Sequence, residues 1–224
     1  MVKLSLNQQR RFIIPEASTL LPNGPDDPLP YYYKPLIGKI YRARIEQALS
    51  LLTPPYKSIL EIGYGSGILL PSLCKMSQSV FGIDLQANPE RLKEPLNKLG
   101  IRCTLIQGDI ADKHFGEGVF DLIVAISIFE HIAELGSRIE QIEKLLCPSG
   151  QLLVGMPRVD KYMNSAFRII GHKNIDQIHV TDHKQLIKAA SRYFNLIDTL
   201  RLPKGFPATL CLYFSLLFKK KAAY

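Results

Sequence analysis

Cysteine is scarce in this chain and never paired locally. Cys74, Cys103, Cys147 and Cys211 are far apart and form no CxxC, which removes the usual signals for a zinc ribbon, a redox motif or a disulfide framework. They read as reduced thiols of a cytosolic protein. Long apolar runs are also missing. Nothing approaches the ~20 residues that a membrane-spanning helix needs, and the nearest stretch, Leu210 to Phe218, is about half that. Met1 to Arg11 holds no apolar run of signal-peptide length, so the expected location is cytoplasmic. Internal repeats, low-complexity tracts, an arginine-rich arm and an appended RNA-binding module are absent as well. What remains is a chain of 224 residues, 46% hydrophobic and 21% charged, long enough to bury one core without staples.

The charge balance is basic. Lys and Arg number 28 against 20 Asp and Glu, a formal net charge of +8. The surplus is spread over Arg10-Arg11, Lys34 to Arg44, Arg91 to Arg102 and Lys219-Lys220-Lys221. Such a balance favours anionic partners such as nucleic acid, acidic lipid or a phosphorylated substrate, and a solvated basic surface accounts for it equally.

Residues 1–37 form an irregular N-terminal segment. Pro15, Pro22, Pro25, Pro28, Pro30 and Pro35, with Asn23-Gly24 and Asp26-Asp27, rule out a long helix. Phe12, Ile13, Ile14, Leu20, Leu21 and Tyr31-Tyr32-Tyr33 offer anchors, so the segment is expected to wrap over the remaining domain, 38–224, as a cap or lid. From Gly38 to Leu52 an apolar stripe of Ile40, Tyr41, Ile45, Ala48, Leu49 and Leu52 predicts an amphipathic helix. Strands and helices then alternate: strand Ser58–Ile62, helix from Ser66, strand Val80–Asp84, helix Pro89–Leu99, strand Arg102–Ile106, strand Phe120–Ile126, helix Glu134–Leu146, strand Gln151–Met156. A helix near Lys161–Ile170, a polar loop with His172, Asn174 and His179, and a helix capped by Asp182 follow. Phe194–Leu202 and Thr209–Phe218 are the last strands. The short link between those two requires antiparallel pairing. The fold class is therefore α/β, a doubly wound, seven-stranded, mostly parallel sheet with an antiparallel last strand.

The chain is organised around Glu61-Ile62-Gly63-Tyr64-Gly65-Ser66-Gly67, where a strand ends in a glycine turn and a helix follows. The spacing Gly63-x-Gly65-x-Gly67 is not G-x-G-x-x-G; Ile68 stands where a dinucleotide site wants its third glycine. The second strand ends in Asp84, placed to accept hydrogen bonds from ribose hydroxyls. The third leads into Gly108-Asp109-Ile110, with Asp109 within reach of an adenine amino group. The fourth, Phe120-Asp121-Leu122-Ile123-Val124-Ala125, feeds Ser127-Ile128-Phe129-Glu130-His131.

These motifs, in order from Ser58 to Pro157 with Leu145-Leu146-x-Pro148-x-Gly150-x-Leu152-Leu153 after them, resemble the class I S-adenosylmethionine (SAM)-dependent methyltransferases. The small-molecule branch that includes quinone-biosynthesis enzymes, of the type 11 kind, is the nearest in pattern. Tyr64 departs from it, at a position often small or acidic. The fourth motif lacks the Asn/Asp-Pro-Pro-Tyr/Phe of amine methylation, and no Pro-Cys or Thr-Cys pair serves attack on pyrimidine C5. The resemblance implies SAM as cofactor, held by Glu61, Gly63, Gly65, Gly67, Asp84, Leu85, Asp109, Ile110 and Ser127. His131 is the candidate base, or a histidine that positions its loop; no metal is expected. Tyr31 to Tyr33 and the helix after Gly38 can cover the acceptor, or simply pack. The acceptor is expected to be a small or lipid-like molecule, methylated at oxygen or carbon. An RNA methyltransferase and a SAM-binding module without catalysis are the alternatives, and a buried final strand competes with peripheral membrane contact for the C-terminal apolar run.

Overall fold

The computed structural model describes residues 5–24, 27–112, 114–159, 180–205 and 211–222. Seven strands form one sheet in the order β3-β2-β1-β4-β5-β7-β6. They are β1 (Tyr56–Ile62), β2 (Ser77–Asp84), β3 (Thr104–Gln107), β4 (Phe120–Ile126), β5 (Leu146–Pro157), β6 (Phe194–Leu202) and β7 (Tyr213–Lys220). The first five are parallel, and β7 lies antiparallel between β5 and β6. The expected α/β class and the antiparallel final pair are both present. Strand order reverses beside β1, which has β2 and β3 on one side and β4 and β5 on the other. In open parallel sheets that switch point opens a crevice at the carboxyl ends of the strands.

Side chains alternate between the two faces, and each face builds its own core. Ile59, Leu122, Val124 and Leu153 point into one cluster; Leu60, Ile123, Ala125, Leu152 and Val154 point into the other. The first face is covered by α3 (Ile37–Leu49), α4 (Leu70–Met76) and α5 (Glu90–Lys98), the second by α6 (Leu135–Leu145) and α7 (His183–Ala190). The N-terminal segment joins the first cluster. It carries only two short helices, α1 (Leu6–Gln9) and α2 (Leu29–Tyr32), and buries Phe12, Leu20, Leu29 and Tyr32. Ile13 N donates to Ser72 Oγ at 2.8 Å, and Tyr33 Oη donates to Pro15 O at 3.0 Å.

Several boundaries differ from the sequence reading. Helix α4 starts at Leu70 instead of Ser66, because the turn keeps its own hydrogen bond, Gly67 N to Tyr64 O at 2.7 Å, and Gly67 sits at φ +75°. Strand β5 starts at Leu146, not Gln151. Pro148-Ser149-Gly150 lies inside it as an irregularity between the pairs Phe120↔Leu146 and Leu122↔Gln151, with Ser149 at φ +64°. The helix expected near Lys161–Ile170 and the loop with His172, Asn174 and His179 lie outside the described residues. Asp182 caps α7 as expected, through a capping box with Gln185.

The C-terminal apolar run is sheet interior: Tyr213 to Phe218 are all buried in β7. Its lysines are not all in solvent. Lys220 belongs to the strand, and its Nζ caps the end of α6 through Glu143 O and Leu146 O at 2.7 and 2.8 Å while pairing with Glu143 Oε1 at 2.9 Å. Among the described residues, no helix is long and apolar enough to cross a membrane.

Helix α3 also departs from its expected stripe. Ile40 is exposed, while Gln47 is buried and joins two strands: its Nε2 donates to Arg201 O at 2.6 Å, and its Oε1 accepts from Ser215 Oγ at 3.1 Å. Replacing it by Leu keeps the volume but strands both partners. Gln47→Leu should lower unfolding stability by about 1–3 kcal/mol in urea titrations, and adding Ser215→Ala should recover part of that loss.

Candidate functional site

The glycine turn owes its shape to residues without Cβ. Gly63, Gly65 and Gly67 lie at φ +79°, +47° and +75°, a region that other residues enter at a cost. At Gly63 space forbids a side chain as well, since a Cβ there would stand 2.0 Å from Ile128 Cδ1. The ends of β1 and β4 therefore touch at this point. Tyr64, the departure noted in the motif, points the other way. It is buried, its hydroxyl donates to Ala87 O at 2.9 Å, and it packs where a Cβ on Gly82 would stand.

Asp84 holds the turn to the end of β2. Its Oδ2 accepts Gly65 N–H at 2.9 Å, and its Oδ1 accepts Gln86 N–H and Ala87 N–H at 2.8 and 2.9 Å. The N-terminal segment adds a second clasp that the sequence reading missed. Buried Asn23 donates from Nδ2 to Gly65 O and Asn88 O at 3.1 and 3.0 Å and accepts Asn88 N–H at Oδ1. Asp27 fixes that loop by accepting Asn23 N–H and Leu29 N–H, and its Oδ2 lies 3.2 Å from where a Cβ on Gly65 would be. The sequence signal was present in the Asn23-Gly24 turn, which served there only as a helix breaker.

Glu61, at the end of β1, is 4% exposed, and its Oε2 has no partner. Burial raises its carboxyl well above the usual range, with Cys103 and Asp84 adding to the effect. Among the described residues, neither Glu61, Asp84 nor Asp27 forms an ion pair. A glycine turn flanked by the Asp84 and Asp27 carboxylates, with the buried acid Glu61 behind it, disfavours a phosphate and suits a ligand that carries a positive charge. Beside it, Leu85 is 65% exposed and Ile110 is half-buried against the second core, so both can flank a flat ring. Asp109 is committed differently. Arg138 of α6 grips both its oxygens, and Ala111 N–H adds a bond to Oδ1. Burial acts upward on this carboxyl, but the Ala111 N–H and Arg138 outweigh it and hold its pKa low.

On the far side of Gly63 lies a second polar cluster. Ser127, at the end of β4, sits at φ +58°, in the left-handed region that a serine seldom enters. Its Oγ is 3.0 Å from Tyr213 Oη and accepts from Arg44 Nη1 at 3.2 Å. Arg44 also donates to Tyr32 Oη at 3.0 Å and lies 4.1 Å from the Tyr41 ring centre. Neither Arg44 nor Tyr213 was picked out from sequence, although a charge within the apolar stripe of α3 was a usable signal. A 3-10 turn, Phe129–His131, follows Ser127 and gives its two polar residues opposite surroundings. His131 is exposed, whereas Glu130 is 1% exposed with an unpartnered Oε2. Burial pushes the Glu130 carboxyl up to about 8, against the pull of its own backbone N–H, Arg44 and Ser127.

The structure thus gathers Glu61, Gly63, Gly65, Gly67 and Asp84 at the carboxyl ends of β1 and β2, with Leu85, Asp109 and Ile110 along one flank and Ser127 on the other. His183 stands apart, its ring stacked 3.8 Å from that of Phe214. Surface clefts of about 270 and 480 Å³, one at Arg10 and Glu46, the other at Glu140 and Arg192, contain none of these residues.

Comparison with known proteins gives this geometry a context. Residues 60–154 match a family described as a methyltransferase domain. The ubiquinone biosynthesis O-methyltransferase of Vibrio campbellii is 30% identical over 141 residues, which cover 60% of this chain and 59% of that protein. The match therefore spans less than two thirds of that relative. The Vibrio vulnificus protein of the same name is 27% identical over 175 residues, 74% of this chain and 72% of its own length. Among solved structures, the N-methyltransferase NodS of Bradyrhizobium japonicum WM9, in complex with S-adenosyl-L-homocysteine, superposes with a TM-score of 0.62 at 18% identity. That superposition covers 87% of this chain and 92% of NodS. At that identity the likeness concerns the fold.

The buried Glu130 carboxyl makes stability depend on pH. Between its ordinary value of 4.5 and about 8, the folded chain keeps a proton that the unfolded chain has released. Stability therefore falls as pH rises through that window. Glu130→Gln cannot ionise, so the variant should lose less stability than the wild type between about pH 5 and about pH 8 in urea titrations.

Proposed function

We propose that this chain, which carries a class I SAM-dependent methyltransferase domain of the type 11 kind across residues 60–154, methylates a small-molecule or lipid-like acceptor at oxygen or carbon. The observation that carries the reading is the unpaired, buried Glu61 carboxyl beside Asp84 at a glycine turn. Such a site lacks a cation, and the ammonium of SAM supplies one. A nicotinamide dinucleotide would bring phosphates instead. The Vibrio relatives, named as O-methyltransferases of ubiquinone biosynthesis, favour oxygen as the atom methylated and a small molecule as its bearer.

When bound, SAM supplies a methyl group already activated on its sulfonium sulfur. The protein's part is alignment and exclusion of water, and alignment of this kind is worth about 7–11 kcal/mol. Gly63, Gly65 and Gly67 let the backbone close on the ligand. Glu61 takes the ammonium. Asp84, already oriented by three backbone N–H groups, keeps lone pairs for ribose hydroxyls. Leu85 and Ile110 flank the adenine, and Asp109, pinned by Arg138, borders it. Residues 1–37 act as a cap, with Asn23 and Asp27 clasping Gly65. Ser127 faces both sides. His131, exposed at the mouth of β4, is the proposed base for an acceptor hydroxyl or acidic carbon. The place of work is the cytoplasm. An RNA acceptor is the second reading, favoured by the net charge of +8 alone.

Incubation of extracts with methyl-labelled SAM, followed by separation into lipid, nucleic-acid and small-molecule fractions, tests the acceptor class. Label in the lipid or small-molecule fraction is expected, and label confined to nucleic acid would overturn the reading. Asp84→Ala should raise the Kd for S-adenosylhomocysteine at least ~10-fold, the scale of a lost charge-assisted hydrogen bond. Asp84→Asn, which preserves most of the turn, should show a smaller loss; unchanged affinity in both variants removes Asp84 from the site. His131→Ala should lower turnover by about 10²-fold or more with cofactor affinity unchanged. An equal loss in both would mark His131 as a structural residue.

A further inference from the structure

Arg44 is a charge without a counter-charge. It projects from α3 into a cage of tyrosines, with its guanidinium carbon 4.1 Å from the ring centre of Tyr41 and 5.5 Å from those of Tyr32 and Tyr213. Its Nη groups donate to Ser127 Oγ and Tyr32 Oη, but its Nε–H is buried with no acceptor. Among the described residues, no carboxylate forms an ion pair with it. Partial burial of a guanidinium on hydroxyls and ring faces alone is an unfavourable arrangement, since ring faces return only about 0.5–2 kcal/mol. Arg44, Tyr41 and Ser127 are each half-buried as whole residues, although the Arg44 Nε itself is buried. The cage is also next to the cofactor crevice: Ser127 precedes Ile128, whose side chain closes on Gly63.

We propose that Arg44 is the receptor for a carboxylate on the methyl acceptor, and that the tyrosine cage holds the planar or aromatic body to which that carboxylate is attached. A guanidinium edge matches a carboxylate in shape and charge. Glu130, buried beside it, keeps its proton up to about pH 8 and so leaves Arg44 without a counter-charge. Tyr32 and Tyr213 are buried walls, and Tyr41 is the open one. The inference rests on the methyl-transfer reading for the word acceptor; the anion site itself stands on Arg44 and its surroundings.

Calorimetric titration with 2-naphthoate, its neutral analogue 2-naphthamide and 2-naphthyl phosphate tests it, each with and without saturating S-adenosylhomocysteine. The naphthoate should bind at least ~10-fold more tightly than the amide. Arg44→Gln should abolish that preference while leaving S-adenosylhomocysteine affinity unchanged, and Arg44→Lys should restore part of it. Equal binding of naphthoate and amide by the wild type overturns the proposal whether or not the variants fold, and tighter binding of the phosphate overturns the carboxylate assignment. Naphthoate binding without any S-adenosylhomocysteine binding would leave the anion site standing and remove the methyl-transfer reading instead.

Discussion

The carboxylate of Asp84 is the joint on which the rest of this molecule turns. It takes one N–H from the glycine turn after β1 and two from the loop after β2. Two strand ends that could open separately are thereby held as one rim. The left-handed backbone at Gly63, Gly65 and Gly67 depends on that tie, because a turn of three such residues has little conformational preference of its own. Everything placed along the rim depends on it in turn: Glu61 behind, Asn23 and Asp27 across the top, and Ile128 pressed against Gly63.

Charge gives the rim its chemistry. Among the described residues, Glu61, Asp84 and Asp27 form no ion pair, and neither does Arg44 in the cage a few residues away. The chain as a whole is basic, yet the crevice at its switch point is acidic, so net charge is a poor guide to the ligand here. In the proposed arrangement a cation lies on the Glu61 side and an anion on the Arg44 side. Gly63 and Ser127 stand between them, at the adjoining ends of β1 and β4. A donor and an acceptor bound in that order would meet at the ends of those two strands.

Much of this was legible in the residues. Continuous apolar runs at Ser58–Ile62 and Phe120–Ile126 announced strands buried on both faces, and the short link after Leu202 forced the antiparallel end. The glycine spacing and Asp84 located the crevice. What the sequence hid were long-range partnerships. Asp109 reads as an acceptor within reach of an adenine amino group, and its grip by Arg138 of α6, 29 positions away, is not visible in the sequence. Asn23 and Asp27 looked like helix breakers, and only folding sets them on Gly65, 42 positions on in the case of Asn23. Arg44 and Gln47 fell within an apparent apolar stripe whose real edge is shifted, since Ile40 faces solvent while the Gln47 amide meets β6 and β7. Period and composition identify elements; they do not say which polar groups from distant elements will neutralise one another.

In the proposed site, the ammonium of the cofactor pairs with Glu61. Calorimetry of S-adenosylhomocysteine binding at neutral pH, repeated in buffers of different ionisation enthalpy, tests this most directly. Because burial holds the Glu61 carboxyl well above its usual range in the free protein, an arriving ammonium should ionise it and release a proton. Net proton release by the wild type that disappears in Glu61→Gln is expected. Proton release of the same size in both proteins, or binding of NAD in place of S-adenosylhomocysteine, would contradict that pairing.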